Sequence, residues 1–466
     1  MPHLRLGRPP ICTSDSAVHR FAAMPELISS YVALKPASQE DEPVSIWYLL
    51  LLTAVALASG IANGYNGTVL EGTIPRLQYE GYMREPLEVG LLEGALSLGG
   101  LLGSLVCAQL ATSLSRRVLV VVGETSIVLG VLLFASITET YTWEQAIIGR
   151  TLTGAGVGVC GLAKPLIVSE LAPPRKRGLL VALFAVGQSV GMNVFFLTDW
   201  LLPGPETRWA WRVLVALGAT PAVVVICLAF VFQERNAYWD VPPRSKTAGA
   251  DAGAPRMLMR MLTEEPPSVR RNFGLIIALM VGYNLSGTLI ISNYASDILA
   301  DTTRKLPIVI GAVQFCGLVS AATLTDRVGR RPLLLGSCVL TVVGLVSISL
   351  LLGPLHAAPS ESSVALWGLL GLMVTVEYAV GAGLNPIRIV LSAELMPNAY
   401  RSLGMSLGNA SGWLLALASL FLYPVIKQLS NGPAPQFGFF GCVVAALTAL
   451  LVRYLPETNG IDLGAK

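Results

Sequence analysis

Long apolar segments recur along this chain, and they constrain its fold more than any other feature of the sequence. Twelve can be drawn, each of roughly the 20 residues that an α-helix needs to cross a bilayer. Only 13% of the residues are charged, whereas a soluble domain has about a quarter. The pattern predicts an all-α membrane protein with spans near 46–70, 88–110, 118–137, 145–169, 179–202, 211–233, 273–296, 306–325, 332–353, 364–393, 402–426 and 436–455.

The longest polar interval between the spans divides them into six and six. Residues 234–272 contain five prolines and mixed charge, which is typical of a linker. We therefore expect five segments along the chain. They are an N-terminal tail at 1–45, a six-helix bundle at 46–233, a linker at 234–272, a second six-helix bundle at 273–456 and a C-terminal tail at 457–466.

Positive charge is concentrated on one side of the predicted topology. An even number of spans places both chain ends on the same side, and short cytoplasmic loops carry an excess of lysine and arginine. Both termini and the linker are therefore expected in the cytoplasm. The loops on that side contain Arg116, Arg117, Arg175, Lys176, Arg177, Arg327, Arg330, Arg331 and Arg401.

Short motifs in the first half return in the second half at an offset of 214 to 224 residues. Four such repeated motifs in equivalent positions indicate a duplicated six-helix unit. Two parallel repeats are what an alternating-access transporter needs, because the two bundles can rock about a site between them. The pairs are Gly64-Tyr65-Asn66 with Gly282-Tyr283-Asn284, Ser115-Arg116-Arg117 with Gly329-Arg330-Arg331, Glu170 and Arg177 with Glu394 and Arg401, and Gln233-Glu234-Arg235 with Pro456-Glu457-Thr458.

These motifs resemble those of the major facilitator superfamily, and within it the sugar porter family that includes the facilitative glucose transporters. Gly64-Tyr65-Asn66-Gly67 is similar to the first-helix motif of that family. The segment from Asp326 to Pro332 is similar to its loop between helices eight and nine, and the segment from Pro456 to Gly460 to its tail. The resemblance implies two pseudo-symmetric six-helix bundles in the major facilitator fold.

Amide side chains and aromatic rings are the groups that a sugar site needs, since hydroxyls pair with amides and sugar C–H faces stack on rings. The resemblance places several such residues in the site, although the family's fifth-helix glutamine falls on Ala185 and its tenth-helix tryptophan is absent. This is therefore not a standard hexose pocket. The candidate substrate-binding residues are Asn66, Gln188, Tyr283, Asn284, Gln314, Arg388 and Trp413.

Two cations within the spans leave a second substrate class open. Arg388 in the tenth span and Lys164 in the fourth could face the cavity and favour an anionic solute. Alternatively, each could pair with a buried acid or extend to the membrane interface.

A second group of candidates consists mainly of arginines and acids in the loops on the linker side. Arginine can make bidentate bonds to carboxylates, so such pairs could hold one conformation and break in another. We expect this group to control gating, with Tyr294 as an outer gate and Gly287, Gly381 and Gly383 as bending points. The group comprises Arg116, Arg117, Arg150, Glu170, Arg177, Glu234, Tyr294, Asp326, Arg327, Arg330, Arg331, Glu394, Arg401 and Glu457.

The coupling mode is suggested by Asn66. Proton-coupled members of the family carry an aspartate there, whereas an asparagine cannot titrate. We therefore expect a facilitative uniporter for a small polar solute, a hexose or polyol in the first place. Embedded acids such as Glu93, Glu124 and Glu377 keep a proton-coupled symporter open. A carrier of organic anions or amino-acid-like solutes and a non-transporting nutrient sensor are the further alternatives.

Several function classes find no support in the sequence. It contains no phosphate-binding glycine loop, no cluster of metal ligands and no pair of nucleophile and base, so neither enzymatic activity nor a cofactor is expected. A net charge of +3 gives no sign of nucleic acid as a partner. The expected partners are a small-molecule substrate and the lipid bilayer. The resemblance favours the plasma membrane, with an organellar membrane as the alternative.

Overall fold

Helices account for almost all of the chain that the structure describes. The computed structural model describes residues 46–83, 85–110, 114–137, 143–171, 177–204, 206–207, 209–231, 254–299, 305–357, 363–397 and 400–456. The first half contains α1 (Ile46–Thr68), α2 (Leu70–Tyr79), α3 (Pro86–Leu110), α4 (Arg116–Ala135), α5 (Trp143–Leu171), α6 (Arg177–Leu201), α7 (Ala210–Leu217) and α8 (Thr220–Val231).

The second half is built in the same manner from longer and shorter helices. It contains α9 (Ala254–Thr263), α10 (Pro267–Asn284), α11 (Thr288–Leu299), α12 (Leu306–Val328), α13 (Arg330–Ala357), α14 (Ser363–Ala379), α15 (Asn385–Glu394), α16 (Arg401–Leu429) and α17 (Ala434–Tyr454). A π-helical turn at Val380–Leu384 joins α14 to α15.

The expected spans all fall on helices. Within the described residues, ten helical stretches are long and apolar enough to cross a membrane, and each overlaps one of the twelve expected spans. The other two expected spans, 46–70 and 179–202, coincide with α1 and α6. The prediction of an all-α membrane protein is therefore confirmed.

Three of the apolar runs contain a break that hydropathy did not reveal. The run at 211–233 is divided into α7 and α8, and the run at 273–296 into α10 and α11. Gly287 lies in the second break with a φ of +83°, a conformation that glycine adopts without steric cost. In the run at 364–393 the π-helical turn precedes Pro386, which has no N–H to donate to the preceding turn.

The expected linker also differs from the structure at its C-terminal end. Part of it forms α9, and α10 begins at Pro267 rather than at the predicted residue 273. Proline is favoured at the first position of a helix, where its missing N–H would have no partner in any case. The rest of the linker, up to residue 253, and the tails expected at 1–45 and 457–466 lie outside the described residues.

Glycines allow the helices of the first half to approach at backbone distance. A Cβ on Gly187 of α6 would overlap the carbonyl oxygen of Leu57 in α1, and one on Gly154 of α5 would overlap that of Leu96 in α3. Small residues of this kind favour helix association in lipid, where the hydrophobic effect is absent. Between the halves, α3 packs against α16 and α6 packs against α12.

This packing predicts that Gly154→Ala destabilises the protein. The added methyl group must push α3 and α5 apart, and overpacking of this kind costs about 1–3 kcal/mol. We expect a lower melting temperature for the purified protein in detergent. Gly371→Ala on α14 is the matched control, because nothing lies within 4 Å of a Cβ at that position. Equal melting temperatures for both variants would contradict the prediction.

Candidate substrate-binding site

A cavity of about 240 Å³ lies between the two halves. Its walls come from α1, α3, α5 and α6 of the first half and from α10, α11, α12, α15 and α16 of the second. A cavity of this volume can hold a small solute. It is also the place where a transporter built from two repeats is expected to bind its substrate.

Six of the seven candidate substrate-binding residues line this cavity. One comes from the first half, and the others come from four different elements of the second half. The structure therefore brings together side chains that are up to 225 positions apart in the sequence, as between Gln188 and Trp413. The six residues are Gln188, Tyr283, Asn284, Gln314, Arg388 and Trp413.

Asn66 is the exception, because its side chain lies outside the cavity. Its amide nitrogen donates to the carbonyl oxygen of Ala62 at 2.8 Å and to that of Gly218 at 2.9 Å. Arg150 of α5 donates to the backbone carbonyl of Asn66 at 2.8 Å. Asn66 therefore joins α1 to α5 through its backbone and to the break between α7 and α8 through its side chain.

Several polar atoms in the cavity wall have no hydrogen-bond partner within the described part of the chain. They are Oγ of Ser189, Oδ1 of Asn293, Nε1 of Trp413 and Nε of Arg388. A buried polar atom left without a partner costs about 1–3 kcal/mol. A solute with several hydroxyl groups can both donate to and accept from such atoms, so the wall is suited to a polyhydroxylated ligand.

Glu377 lies outside the cavity lining and accepts hydrogen bonds from two residues that line it. This buried carboxylate of α14 accepts from Nε2 of Gln314 at 2.7 Å and from Oγ of Ser292 at 3.3 Å. Both donors line the cavity, whereas Glu377 does not. Because the nitrogen of the Gln314 amide is held by Glu377, its carbonyl oxygen is left to accept from a solute hydroxyl.

The two cations singled out in the sequence have different surroundings. Lys164 is buried and forms an ion pair with Glu124 of α4, and it is not among the residues that line the cavity. Arg388 does line the cavity, and its guanidinium carbon lies 3.8 Å from the ring centroid of Tyr283. Only Arg388 can therefore act on a solute directly.

Other polar residues of the wall were missed in the sequence, although helical spacing could have found some of them. Asn409 precedes Trp413 by one turn, and Asn385 precedes Arg388 by three residues, so each shares a helix face with a predicted residue. The missed residues include Asn63, Ser189, Asn293, Asn385 and Asn409.

Tyr294 lies at a second cavity, of about 820 Å³, which is lined mainly by α2, α3, α11 and α16. Asn293 lines both cavities, so this part of α11 forms the wall between them. The Tyr294 ring lies 4.3 Å from that of Tyr423, and its hydroxyl donates to the carbonyl of Leu420 at 3.2 Å. Nearby, the carboxylate of Glu71 accepts from the backbone N–H of Ser296 at 2.8 Å, which joins α2 to α11.

The remaining gating candidates that are described lie around the helix ends of the linker side. The guanidinium of Arg117 is 5.3 Å from the ring centroid of Phe230, and Arg331 donates to the carbonyl of Val452 at 2.7 Å. Arg327 is exposed, and Arg330 is half-buried. The side chains of Arg116, Glu170, Arg177, Asp326, Glu394 and Arg401, and the whole of Glu234 and Glu457, lie outside the described residues.

Comparison with solved structures identifies the class of protein. The fold matches that of the proton:xylose symporter XylE from E. coli, a member of the major facilitator superfamily, with a TM-score of 0.71, 18% identity and coverage of 90% of this chain and 98% of the other. The expected major facilitator fold is therefore confirmed.

Sequence comparison identifies the family. The model of the family described as Sugar (and other) transporter matches residues 52–240 and 244–465. Myo-inositol transporter 2 of Schizosaccharomyces pombe is 24% identical over 91% of this chain and 82% of its own length. Facilitated glucose transporter member 10 of Mus musculus is 30% identical over 78% of this chain and 72% of its own length. The chain belongs to the Sugar (and other) transporter family, and it is a transporter and not an enzyme.

The position of Glu377 predicts a selective effect on substrate affinity. In Glu377→Leu, the amide of Gln314 and the hydroxyl of Ser292 lose their acceptor, and the orientation of Gln314 is no longer held. Since a lost buried hydrogen bond costs about 1–3 kcal/mol, we expect KM to rise about tenfold with a smaller change in kcat. The concentration dependence of uptake into proteoliposomes measures both constants.

Two further variants complete this test. Glu377→Gln keeps an acceptor oxygen, so it should restore much of the affinity. Thr375→Val is the matched control, because the Thr375 hydroxyl is exposed and bonds only within its own helix, to Gly371. An unchanged KM in Glu377→Leu would show that the carboxylate does not position Gln314.

Proposed function

We propose that this protein is a facilitative uniporter that moves a hexose or a polyol across a membrane by alternating access. The observation that supports this most is the cavity between the two halves, with its unpartnered hydroxyl, amide and indole atoms. The relatives named above, transporters of myo-inositol and of glucose, handle solutes of this chemistry.

Binding would involve side chains from both halves. Gln188, Asn284 and Gln314 offer amides to the hydroxyl groups, while the ring of Trp413 offers a face for the C–H groups and an indole N–H for an oxygen. A solute shifts a conformational equilibrium only through its different affinities for the conformers. Contacts to both halves favour the occluded conformer, because only there can all of them form together.

The gates would lie at opposite ends of the cavity. At the end near α2, Tyr294 and the bond between Glu71 and Ser296 close the path between the two cavities. Gly287 and the π-helical turn provide places where α11 and α15 can bend. At the other end, we propose that the loop pairs built from Glu170, Arg177, Glu394 and Arg401 and their neighbours form the latch.

The preference for uniport over proton coupling rests on Asn66. Its amide donates to two carbonyl oxygens, a role that an ionised carboxylate could not fill. The alternative is a symporter that uses another buried acid. Glu93 is the main candidate for that role, because it is buried, one of its oxygens has no hydrogen-bond partner within the described residues, and it lies within electrostatic range of Arg150.

The orientation in the membrane follows from the distribution of positive charge. We propose that both termini and the linker are cytoplasmic, since the loops on the linker side contain most of the arginines. The division into two tails, a linker and two six-helix bundles belongs to the same proposal, with the second bundle beginning at Pro267, where α10 begins. The plasma membrane is the proposed location.

The decisive experiment measures uptake of radiolabelled glucose, fructose and myo-inositol into liposomes that contain the purified protein. Saturable uptake that stops at equal concentrations and ignores an imposed pH gradient is the expected result. Accumulation above equilibrium, driven by an inward proton gradient, would show a symporter instead. If none of the three solutes enters, although the protein is folded by its melting curve, the proposed substrate class is wrong.

Asn66→Asp tests whether the neutral amide of Asn66 is the reason for pH-independent uptake. An ionised aspartate would face the carbonyl oxygens of Ala62 and Gly218, which cannot donate to it, so only its protonated form can replace the asparagine. We expect uptake by this variant to fall as the pH rises, while uptake by the native protein stays constant. Asn66→Ala should lower uptake equally at every pH. A variant without pH dependence would count against the assigned role of Asn66.

A further inference from the structure

Arg388 is the one charged side chain among the described residues that line the central cavity. It is half-buried, its guanidinium carbon lies over the Tyr283 ring at 3.8 Å from the centroid, and it donates to Oδ1 of Asn385 at 3.3 Å and to Sδ of Met280 at 3.1 Å. Its Nε has no hydrogen-bond partner in the part of the chain that is described. Three neutral groups therefore hold the guanidinium in place and leave it open to the cavity.

The charge of Arg388 has no acidic partner within the described residues, since none of their carboxylate oxygens lies within 4.0 Å of the guanidinium. Glu377, in the same expected span, uses its two oxygens to accept from Gln314 and Ser292. The described part of the cavity wall therefore contains no counter-ion for Arg388.

Two buried cations outside the cavity are paired with acids. Arg76 binds Asp199 at 2.5 Å, and Lys164 binds Glu124, whereas buried Arg150 donates to the backbone carbonyl of Asn66. A charged side chain in the membrane interior is costly, and where it occurs it usually pairs with an opposite charge or serves function. Arg388 differs from these three cations because it lines the cavity, where a solute could supply the negative charge.

We propose that Arg388 and Tyr283 form an anion subsite, and that the preferred solutes are sugar acids whose carboxylate binds the guanidinium. This inference rests on the proposed function and narrows its substrate class. The guanidinium presents N–H groups in a planar fork that matches a carboxylate, and Tyr283 fixes the plane of that fork. The amides and the indole on the opposite walls would then bind the hydroxyl groups of the same molecule.

The experiment uses the full-length protein in liposomes, with radiolabelled glucuronate and glucose as matched probes. They have the same ring hydroxyls and differ in the carboxylate at C6. We expect glucuronate uptake at low concentration to exceed glucose uptake by about tenfold or more, since a hydrogen bond to a charged group contributes about 1.5–3 kcal/mol, and 1.4 kcal/mol corresponds to a factor of ten.

Membrane potential gives a readout that needs no variant. Glucuronate carries one negative charge inward on each cycle of a uniporter, so an inside-positive potential set with a potassium gradient and valinomycin should accelerate its uptake. Glucose uptake should not respond. Saturable glucose uptake together with no uptake of glucuronate at any potential would overturn the anion subsite and leave the proposed transport of sugars intact.

Two substitutions test the role of Arg388 itself. Arg388→Met removes the charge at similar length and should lower the ratio of glucuronate to glucose uptake about tenfold. Arg388→Lys keeps the charge without the planar fork and should give an intermediate ratio. Arg453→Met is the matched control, since Arg453 is an exposed arginine at the end of α17, far from the cavity lining in sequence and outside it in the structure.

The outcomes separate the two proposals. An unchanged ratio in a folded Arg388→Met protein would overturn the anion subsite. If Arg388→Met does not fold, two other measurements test the anion subsite. They are the ratio of glucuronate to glucose uptake by Arg388→Lys and the response of native glucuronate uptake to membrane potential. If neither solute is transported by folded native protein, both the anion subsite and the proposed sugar transport are wrong.

Discussion

Backbone hydrogen bonding in an apolar medium governs this architecture, because every peptide group that crosses a bilayer must find its partner within the protein. Helices meet that demand over most of each span. Departures occur at the break between α7 and α8, at the break between α10 and α11, and at the π-helical turn before α15. The last two border the central cavity through Asn284, Thr288 and Asn385. Irregular backbone at these two places is thus protected from lipid and can serve binding.

Several buried charges are likewise satisfied by partners within the protein. Glu124 and Lys164 neutralise each other, and Glu377 accepts from two donors of the cavity wall. The sequence marked all three as suspects for function, whereas the structure gives the first two a local partner and makes the third a support for Gln314. Arg388 is left as the charge that a ligand could complete.

Much of this could be predicted from the sequence, and the failures have physical causes. Hydropathy located every span because the length of a membrane-crossing helix is set by bilayer thickness. It could not show the breaks, since an interrupted run is as apolar as a continuous one. The sequence could not show that the Asn66 side chain lies outside the cavity lining, because the first-helix motif gives a position along the helix but not the face. The cavity side of α1 carries Asn63 and Gly67, one turn apart, whereas Asn66 faces Gly218.

The glycine contacts between helices also bear on how force passes through the molecule. In the first half, α1 with α6 and α3 with α5 touch backbone to backbone, with no side chains between them that could change rotamer. Such contacts leave little room for sliding, so these helix pairs have low mechanical compliance. In the second half, Gly317 of α12 and Gly381 of the π-helical turn meet backbone in the same way, whereas Gly282 and Gly344 meet side chains. Helices joined through backbone contacts should therefore move together during a cycle, and deformation should concentrate outside these contacts.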